Sequence, residues 1–400
     1  MKSKPDRPTI MLTAPVRTPI GKFGGALASL SAADLGSIAA AACLERASLA
    51  PEDVDQVIFG HGRQAGSGPN TARQIGFRIG VPVERPAFTV NQACASGMQA
   101  IFCGARAIRL GEARVVLAGG TESMSNTPYL LPRARWGYRL GNAEIVDGMY
   151  RDGFNDPLSK LVMGETAEEL AEEARIERSV ADQYAVSSQN RCEEARKAGR
   201  FQAEITPVTV KTRKSTVVVE IDEHPRDGIT LEGLSKLKSV FREGGTVTAG
   251  NASGITDAAA AVLVTSEEAA NELGLKPMAR LVDWEVVGVD PRIMGIGPVP
   301  AVQALLERQG LSATDIDLVE LNEAFACQVL ACLDKLDFDQ DRVNVAGGAI
   351  ALGHPIGCTG TRIMVTLLHN LQHQGGQRGI ATLCVSGGMG VAALVEMVGS

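Results

Sequence analysis

Three stretches of this chain set nucleophilic or proton-transferring side chains among residues that let backbone come close to them. In VNQACASGMQAI, residues 90–101, Cys94 stands between a short apolar run and a much longer one. Read as the first turn of a buried helix, that position turns the thiol toward free backbone N–H groups and the positive end of a helix dipole. Both favour a thiolate and would support an acyl oxyanion beside it. The same stretch equally fits a small buried cysteine without chemistry. In NVAGGAIALGHPIGCTGTRI, residues 344–363, His354 sits in a loop of glycines and a proline, ahead of a helix expected to start near Thr359. Pro355 biases His354 away from helical backbone, and an imidazole held in such a loop can act as a base near neutral pH. The alternative is a turn histidine at the surface. In ATLCVSGGMG, residues 381–390, Cys384 ends a strand-like run before a glycine-rich turn, a place where strand ends line clefts. It also reads as an ordinary strand cysteine.

Two further residues interrupt an apolar run. Asn322 and Glu323 in LVELNEAFA, residues 318–326, must find partners if buried, so Asn322 has a hydrogen-bonding task, structural or catalytic. His369 and His373 stand four apart on an expected helix, but no third ligand accompanies them, so a solvated helix end is expected and no metal. The glycine-rich GGTESMS and GHPIGCTG stretches match neither the dinucleotide fingerprint nor a phosphate-loop lysine motif, which argues against an NAD or ATP cofactor.

The elements that must position these groups repeat. ACLERASLAPEDVDQV (42–57) aligns without a gap to ALLERQGLSATDIDLV (304–319) at a constant offset of 262. Each copy reads as an amphipathic helix, a turn and a short strand, so the chain is expected to consist of two similar halves. Residues 125–250 change character, with LPRARWGYRLG, a charged helical stretch and a polar segment around DEHPRDGITLEG, and read as an insertion in the first half. Beyond it, ASGITDAAAAVLVTS reads as a helix turning into a buried strand, and the second half starts near Pro277. FTVNQ and RVVLAGG, then RVNV and IATLCVSGG, read as strands separated by helices, which implies sheets covered by helices on both faces.

Bulk properties agree with such a fold. The 400 residues, 45% of them apolar, can bury a large core, and 44 glycines against 4% aromatics suit close-packed α/β layers. A net charge of −7 without basic tracts speaks against a nucleic-acid partner. No run approaches the roughly 18 apolar residues of a membrane span. The start has no apolar stretch of signal-peptide length, and the eight cysteines show no CxxC pair; a cytoplasmic protein with reduced thiols is expected.

Taken together, NQACASG, GGTESMS, TAGNASGITD, NEAF, GGAIALGHPIGCTG and CVSGGMG, in this order over nearly the whole chain, resemble the thiolase family, and within it the acetyl-CoA acetyltransferases. The resemblance implies a five-layered αβαβα core of duplicated α/β halves with an inserted loop domain. The N-terminal domain would span 1–270, the insertion about 125–250, and the C-terminal domain 274–400. It implies Cys94 as the nucleophile that carries the acyl group, His354 as its base, Cys384 as the acid/base of the second half-reaction, and Asn322 as holder of a water that shares an oxyanion hole with His354. The backbone N–H groups of Cys94 and Ser386 would form a second hole; related enzymes often have glycine where Ser386 stands. Ser253 and Arg226 would meet coenzyme A, and Met163, Met294 and Phe325 would line the acyl pocket. Val162 stands where biosynthetic members carry histidine, an apolar exchange that would admit a longer chain.

No cofactor is implied beyond coenzyme A thioesters as substrates: acetyl-CoA, acetoacetyl-CoA or a longer 3-oxoacyl-CoA, and CoA. The expected assembly is a homotetramer, with a homodimer as the alternative. Competing readings are a 3-ketoacyl-CoA thiolase of broader chain length, a ketoacyl synthase, against which Asn322 and Cys384 argue, and a non-catalytic acyl-CoA carrier.

Overall fold

The computed structural model describes residues 8–211 and 215–399; the first seven residues and the last, where the two expected domains begin and end, lie outside the described residues. In chain order the elements that build the core are β1 (Ile10–Arg17), α1 (Ala32–Ala47), β2 (Gln56–Gly60), α2 (Thr71–Arg78), β3 (Ala87–Val90), α3 (Ser96–Arg109) and β4 (Val115–Ser123). After them come α4 (Met163–Glu173), α5 (Arg178–Lys197), β5 (Thr256–Ser266), β6 (Pro277–Gly288), α6 (Pro298–Gln309), β7 (Leu318–Leu321), α7 (Ala326–Leu333), α8 (Ile356–Gln374), β8 (Arg378–Val385) and β9 (Met389–Met397).

The strands pair in the order β7-β8-β9-β6-β1-β5-β4-β2-β3 in a ten-stranded mixed sheet, whose remaining member, Gly21–Lys22, pairs with β5. The two halves of the sheet join edge to edge through the antiparallel β1–β6 pair. Side chains alternate along the strands and so sort into separate cores. Val116 and Ala118 of β4, Val262 and Val264 of β5, and Leu383 and Val391 from the second half face one core that contains α3 and α8. Val115, Leu117, Ala259 and Leu263 face α1 and α2 on the other side. Ile380, Ala392 and Leu394 face α6 and α7. Helices therefore lie outside each half-sheet and between them, the layering that the duplicated pattern implied.

The repeat is visible residue by residue. Helix α1 ends on Ser48 in the left-handed region, a 3-10 turn covers Pro51–Asp53, and β2 starts at Gln56; α6 ends on Gly310 in the same conformation, a 3-10 turn covers Ala313–Asp315, and β7 starts at Leu318. Each boundary recurs at the offset of 262 residues. Glycine adopts this cap without strain, whereas Ser48 must tolerate it.

Three expected elements differ. The Ala258–Ala261 run is strand throughout, because small side chains buried on both faces let helices approach the sheet from either side. RVNV forms no strand; Val343 makes a single bridge to Val319, since Asn344 takes a left-handed backbone and spends its side chain on Leu321 and Glu323. Helix α8 starts at Ile356 rather than near Thr359, immediately after Pro355.

The segment between β4 and β5 carries α4, α5 and two short hairpins. It is tied to the core through charge. Arg17, fully buried in β1, donates to Glu204 at 2.6 Å and to Asp222 at 2.6 and 2.9 Å. Burial alone would lower the proton affinity of this guanidinium, but the two carboxylates raise it further, so the cluster stays ionised. Among the described residues no helix is long and apolar enough to cross a membrane.

Candidate active site

The central helices α3 and α8 pack against each other, and their N-termini meet under the end of β8. Glycine permits the approach: a β-carbon on Gly97 would stand 2.6 Å from Thr361 Oγ1, and one on Gly120 would collide with the Gly357 carbonyl. Cys94 lies in the 3-10 turn Ala93–Ala95 that leads into α3, and His354 lies two residues before α8. Ala93, beside the cysteine, sits at φ 45°, a left-handed backbone costing roughly 1–2 kcal/mol for a residue with a β-carbon. Asn91 Oδ1 accepts the Ala93 N–H at 3.0 Å, and Ser96 Oγ bridges Gln92 N and Ala93 O, which holds the turn in place.

A cavity of about 200 Å³ opens over this turn and is lined by Cys94, His354, Cys384 and Ser386. Val162, Met163, Ser253, Met294 and Phe325 line the same cavity. Backbone hydrogen bonds bring these distant stretches together: Ser253 N–H donates to Ala324 O at 3.0 Å, His354 N–H to Gly254 O at 2.9 Å, and Asn322 N–H to Thr382 O at 3.0 Å. Two expected residues are not on the cavity wall. Asn322 is buried just behind it, and neither its Nδ2 nor its Oδ1 has a protein partner among the described residues. A buried amide left in that state is suited to hold a water or a substrate atom. Arg226 is exposed, and its N–H donates to Gln189 Oε1.

The hydrogen bonds of His354 assign its tautomer. Thr359 Oγ1 donates to Pro355 O at 3.0 Å, so the 2.6 Å contact with His354 is one in which Nδ1–H donates to the hydroxyl. Nε2 is then an unprotonated acceptor with no partner among the described residues. Burial, with Arg362 and Arg63 adding positive charge, lowers the imidazole pKa to about 3, so it is neutral in the free protein.

Burial raises the Cys94 pKa, opposed by the charge of Arg63 and by the nearby Ser386 N–H. Positive φ falls on Gly387 and Gly388 and not on Ser386, so serine supplies this N–H without backbone strain. Cys384 is pushed well above the ordinary thiol range by burial, then by the nearby Cys94. From these directions, the rate of Cys94 alkylation by iodoacetamide in the free protein should keep rising beyond the ordinary thiol pKa, with no inflection near pH 6.5. A plateau already reached at pH 7 would instead reveal a thiolate–imidazolium pair and overturn this assignment.

Sequence reading missed one support, Glu122, and left the partners of another, Glu323, open. Glu122, buried within GGTESMS, accepts Gly62 N–H, Arg63 N–H and Gly357 N–H at 2.8–3.1 Å, and His61 Nε2 lies 3.2 Å away. Burial would raise its pKa, but His61, Arg63 and the Gly357 N–H together hold it below the usual range. This carboxylate pins the start of α8 to the loop after β2. Glu323, just after β7, instead ties α5 to residues 344–350, receiving Tyr184, Ser188, Asn344 and the Ile350 N–H. His224 was also unmarked; its Nδ1 contacts Ala351 O at 2.7 Å, and its ring covers Gly254 so closely that no β-carbon fits there. The signal available in the sequence was an acid among glycines or apolar residues. His369, expected at a solvated helix end, in fact contacts Pro15 O at 3.1 Å.

Two thiols at converging helix and strand ends, with a neutral imidazole between glycine turns, describe a centre for acyl transfer through a cysteine thioester. The family model for the thiolase N-terminal domain matches residues 10–268, and that for the thiolase C-terminal domain matches 275–397. The chain belongs to the thiolase family. It is similar to an acetyl-CoA acetyltransferase of Cupriavidus necator, 48% identical over 97% of this chain and 99% of that one. Among solved structures, the Bacillus anthracis acetyl-CoA acetyltransferase superposes with a TM-score of 0.96 at 46% identity, covering 98% of this thiolase and 99% of that chain. Human mitochondrial 3-ketoacyl-CoA thiolase in complex with CoA superposes at 0.94 with 44% identity, each chain covered to 98%. The thiolase fold and an acyltransferase class follow for this chain.

Proposed function

We propose that this thiolase is an acetyl-CoA acetyltransferase, interconverting two molecules of acetyl-CoA with acetoacetyl-CoA and CoA. The observation that carries the reading is the shared cavity of Cys94, His354 and Cys384. His354 Nε2 takes the Cys94 proton, the thiolate attacks the thioester carbonyl, and the imidazolium so formed can donate to the oxyanion. CoA leaves and Cys94 holds the acetyl group. The departing CoA takes the His354 proton. Cys384 then gives its own proton to His354 and, as the thiolate, removes one from the methyl of a second acetyl-CoA. The enolate attacks the acetyl carbonyl, and Cys94 leaves and takes the proton back from His354. A thiolate of raised proton affinity is the stronger base, which suits a weakly acidic C–H.

Ser253 and, from outside the cavity, Arg226 are assigned to coenzyme A; the water on Asn322 completes the first oxyanion hole. Met163, Met294 and Phe325 would enclose the acyl group, with Val162 widening its pocket. The division into domains at 1–270 and 274–400, with an insertion over 125–250, is kept, as are a cytoplasmic location and a homotetramer, with a homodimer as the alternative. Support for assembly comes from the segment after β4, where Trp136 is 84% and Leu140 is 99% exposed.

Incubation with acetyl-CoA followed by acid quench and peptide mass spectrometry tests the reading. One acetyl group on the Cys94 peptide, discharged by added CoA, is expected. An unmodified Cys94 together with no thiolysis of acetoacetyl-CoA would refute it.

A further inference from the structure

Arg63 lies in the loop after β2, in GHGRQAG, where nothing in the residue pattern singles it out. It lines the cavity together with Cys94, Met124 and Phe154, and only 7% of its surface is exposed. Its guanidinium lies flat on Gly153, where a β-carbon would run into Nε, Cζ and Nη2. Among the described residues the Arg63 side chain makes no hydrogen bond and no direct ion pair, and its Nε is buried without a partner.

A buried cation in that position is costly unless a counter-ion meets it. Glu122, the carboxylate whose charge it shares, has both oxygens committed to Gly62, Arg63 and Gly357 N–H groups and to His61. The charge that develops at the reacting cysteine already has the Ser386 N–H and His354 to answer it. An acetyl group ends in a methyl and offers a guanidinium nothing. The phosphates of coenzyme A stand a full pantetheine arm away from the thioester, so with the carbonyl at Cys94 they do not reach a residue this deep. What remains is the acyl chain itself, in a pocket where Val162 leaves room beside Met163.

We infer that Arg63 pairs with a carboxylate at the far end of the acyl chain, so that the cavity takes 3-oxoacyl-CoA thioesters of dicarboxylic acids. The planar fork of arginine fits a carboxylate through two parallel N–H donors, which lysine cannot reproduce. Thiolysis by CoA would break the bond between C2 and C3 of such a substrate and return acetyl-CoA and a shortened thioester with the carboxylate untouched. The inference rests on the thiolase reading given above.

The test compares kcat/KM for thiolysis of 3-oxoadipyl-CoA with that of its methyl-ended counterpart 3-oxohexanoyl-CoA, in the full chain and in Arg63→Met and Arg63→Lys. The unmodified protein is expected to favour the carboxylate-ended substrate by about tenfold to hundredfold, the range of a charge-assisted pair. Arg63→Met is expected to abolish that ratio, and Arg63→Lys to reduce it. If Arg63→Met does not fold, the lysine variant and the preference of the unmodified protein carry the test. A preference for the methyl-ended chain, or an equal loss on both substrates in Arg63→Met, would overturn the inference and leave Arg63 serving Cys94 alone. Thiolysis of acetoacetyl-CoA, measured alongside, separates this failure from failure of the thiolase reading, which would show as no cleavage of any substrate.

Discussion

Replacing Cys94 with alanine is expected to lower kcat/KM for thiolysis of acetoacetyl-CoA by at least about 10⁴-fold, the scale on which covalent catalysts fail without their nucleophile. The argument is one of position. Cys94 alone combines a thiol that keeps part of its surface open to the cavity, the nearby backbone N–H of Ser386, and a turn strained at Ala93 to present it. Alanine fills the same volume less one sulfur and disturbs neither the Asn91 nor the Ser96 hydrogen bonds that hold the turn. Stability measured by urea unfolding should therefore change little while turnover disappears. Retention of more than a hundredth of the activity would mean that acyl transfer does not pass through this residue.

Cys384→Ser is expected to separate the two half-reactions. Acetylation of Cys94 by acetyl-CoA should survive, because the thiol, His354 and the Ser386 N–H remain. Condensation and thiolysis should fall by about 10²–10⁴-fold, the usual share of a positioned acid/base. A serine hydroxyl is a far weaker acid than the thiol and cannot be held as an anion there. Cys384 is 1% exposed at the end of β8 and packs with Met294 and Ala324, so the smaller oxygen also leaves a slight void, which the same unfolding measurement would register. Equal losses in acetylation and in the overall reaction would contradict the assignment of Cys384 to the carbon-acid step.

The residues proposed to react stand out in the chain because their types are uncommon in such settings: cysteines and a histidine bounded by glycine and proline. The partners of their supports do not. Glu122 and Glu323 each receive hydrogen bonds from segments far apart in the chain, and a carboxylate in a glycine-rich or an apolar stretch looks the same whichever donors the fold brings to it. Asn322 was singled out correctly as a buried polar residue, yet its place behind the cavity wall, with both amide atoms unpartnered, depends on the packing of β7 against β8.

The sequence by itself determined the two-half organisation, since the 42–57 and 304–319 segments carry the same helix cap, turn and strand start, and local propensities are set within such windows. It also determined the chemistry to expect at Cys94, His354 and Cys384. Tertiary structure decided what no window contains. The Ala258–Ala261 run became strand instead of helix because burial between α1 and the central helices outweighs the helical preference of alanine. The same packing decided that an arginine from the loop after β2 faces the acyl cavity and that His354 is neutral. Both outcomes depend on how much water the folded layers exclude around a charge.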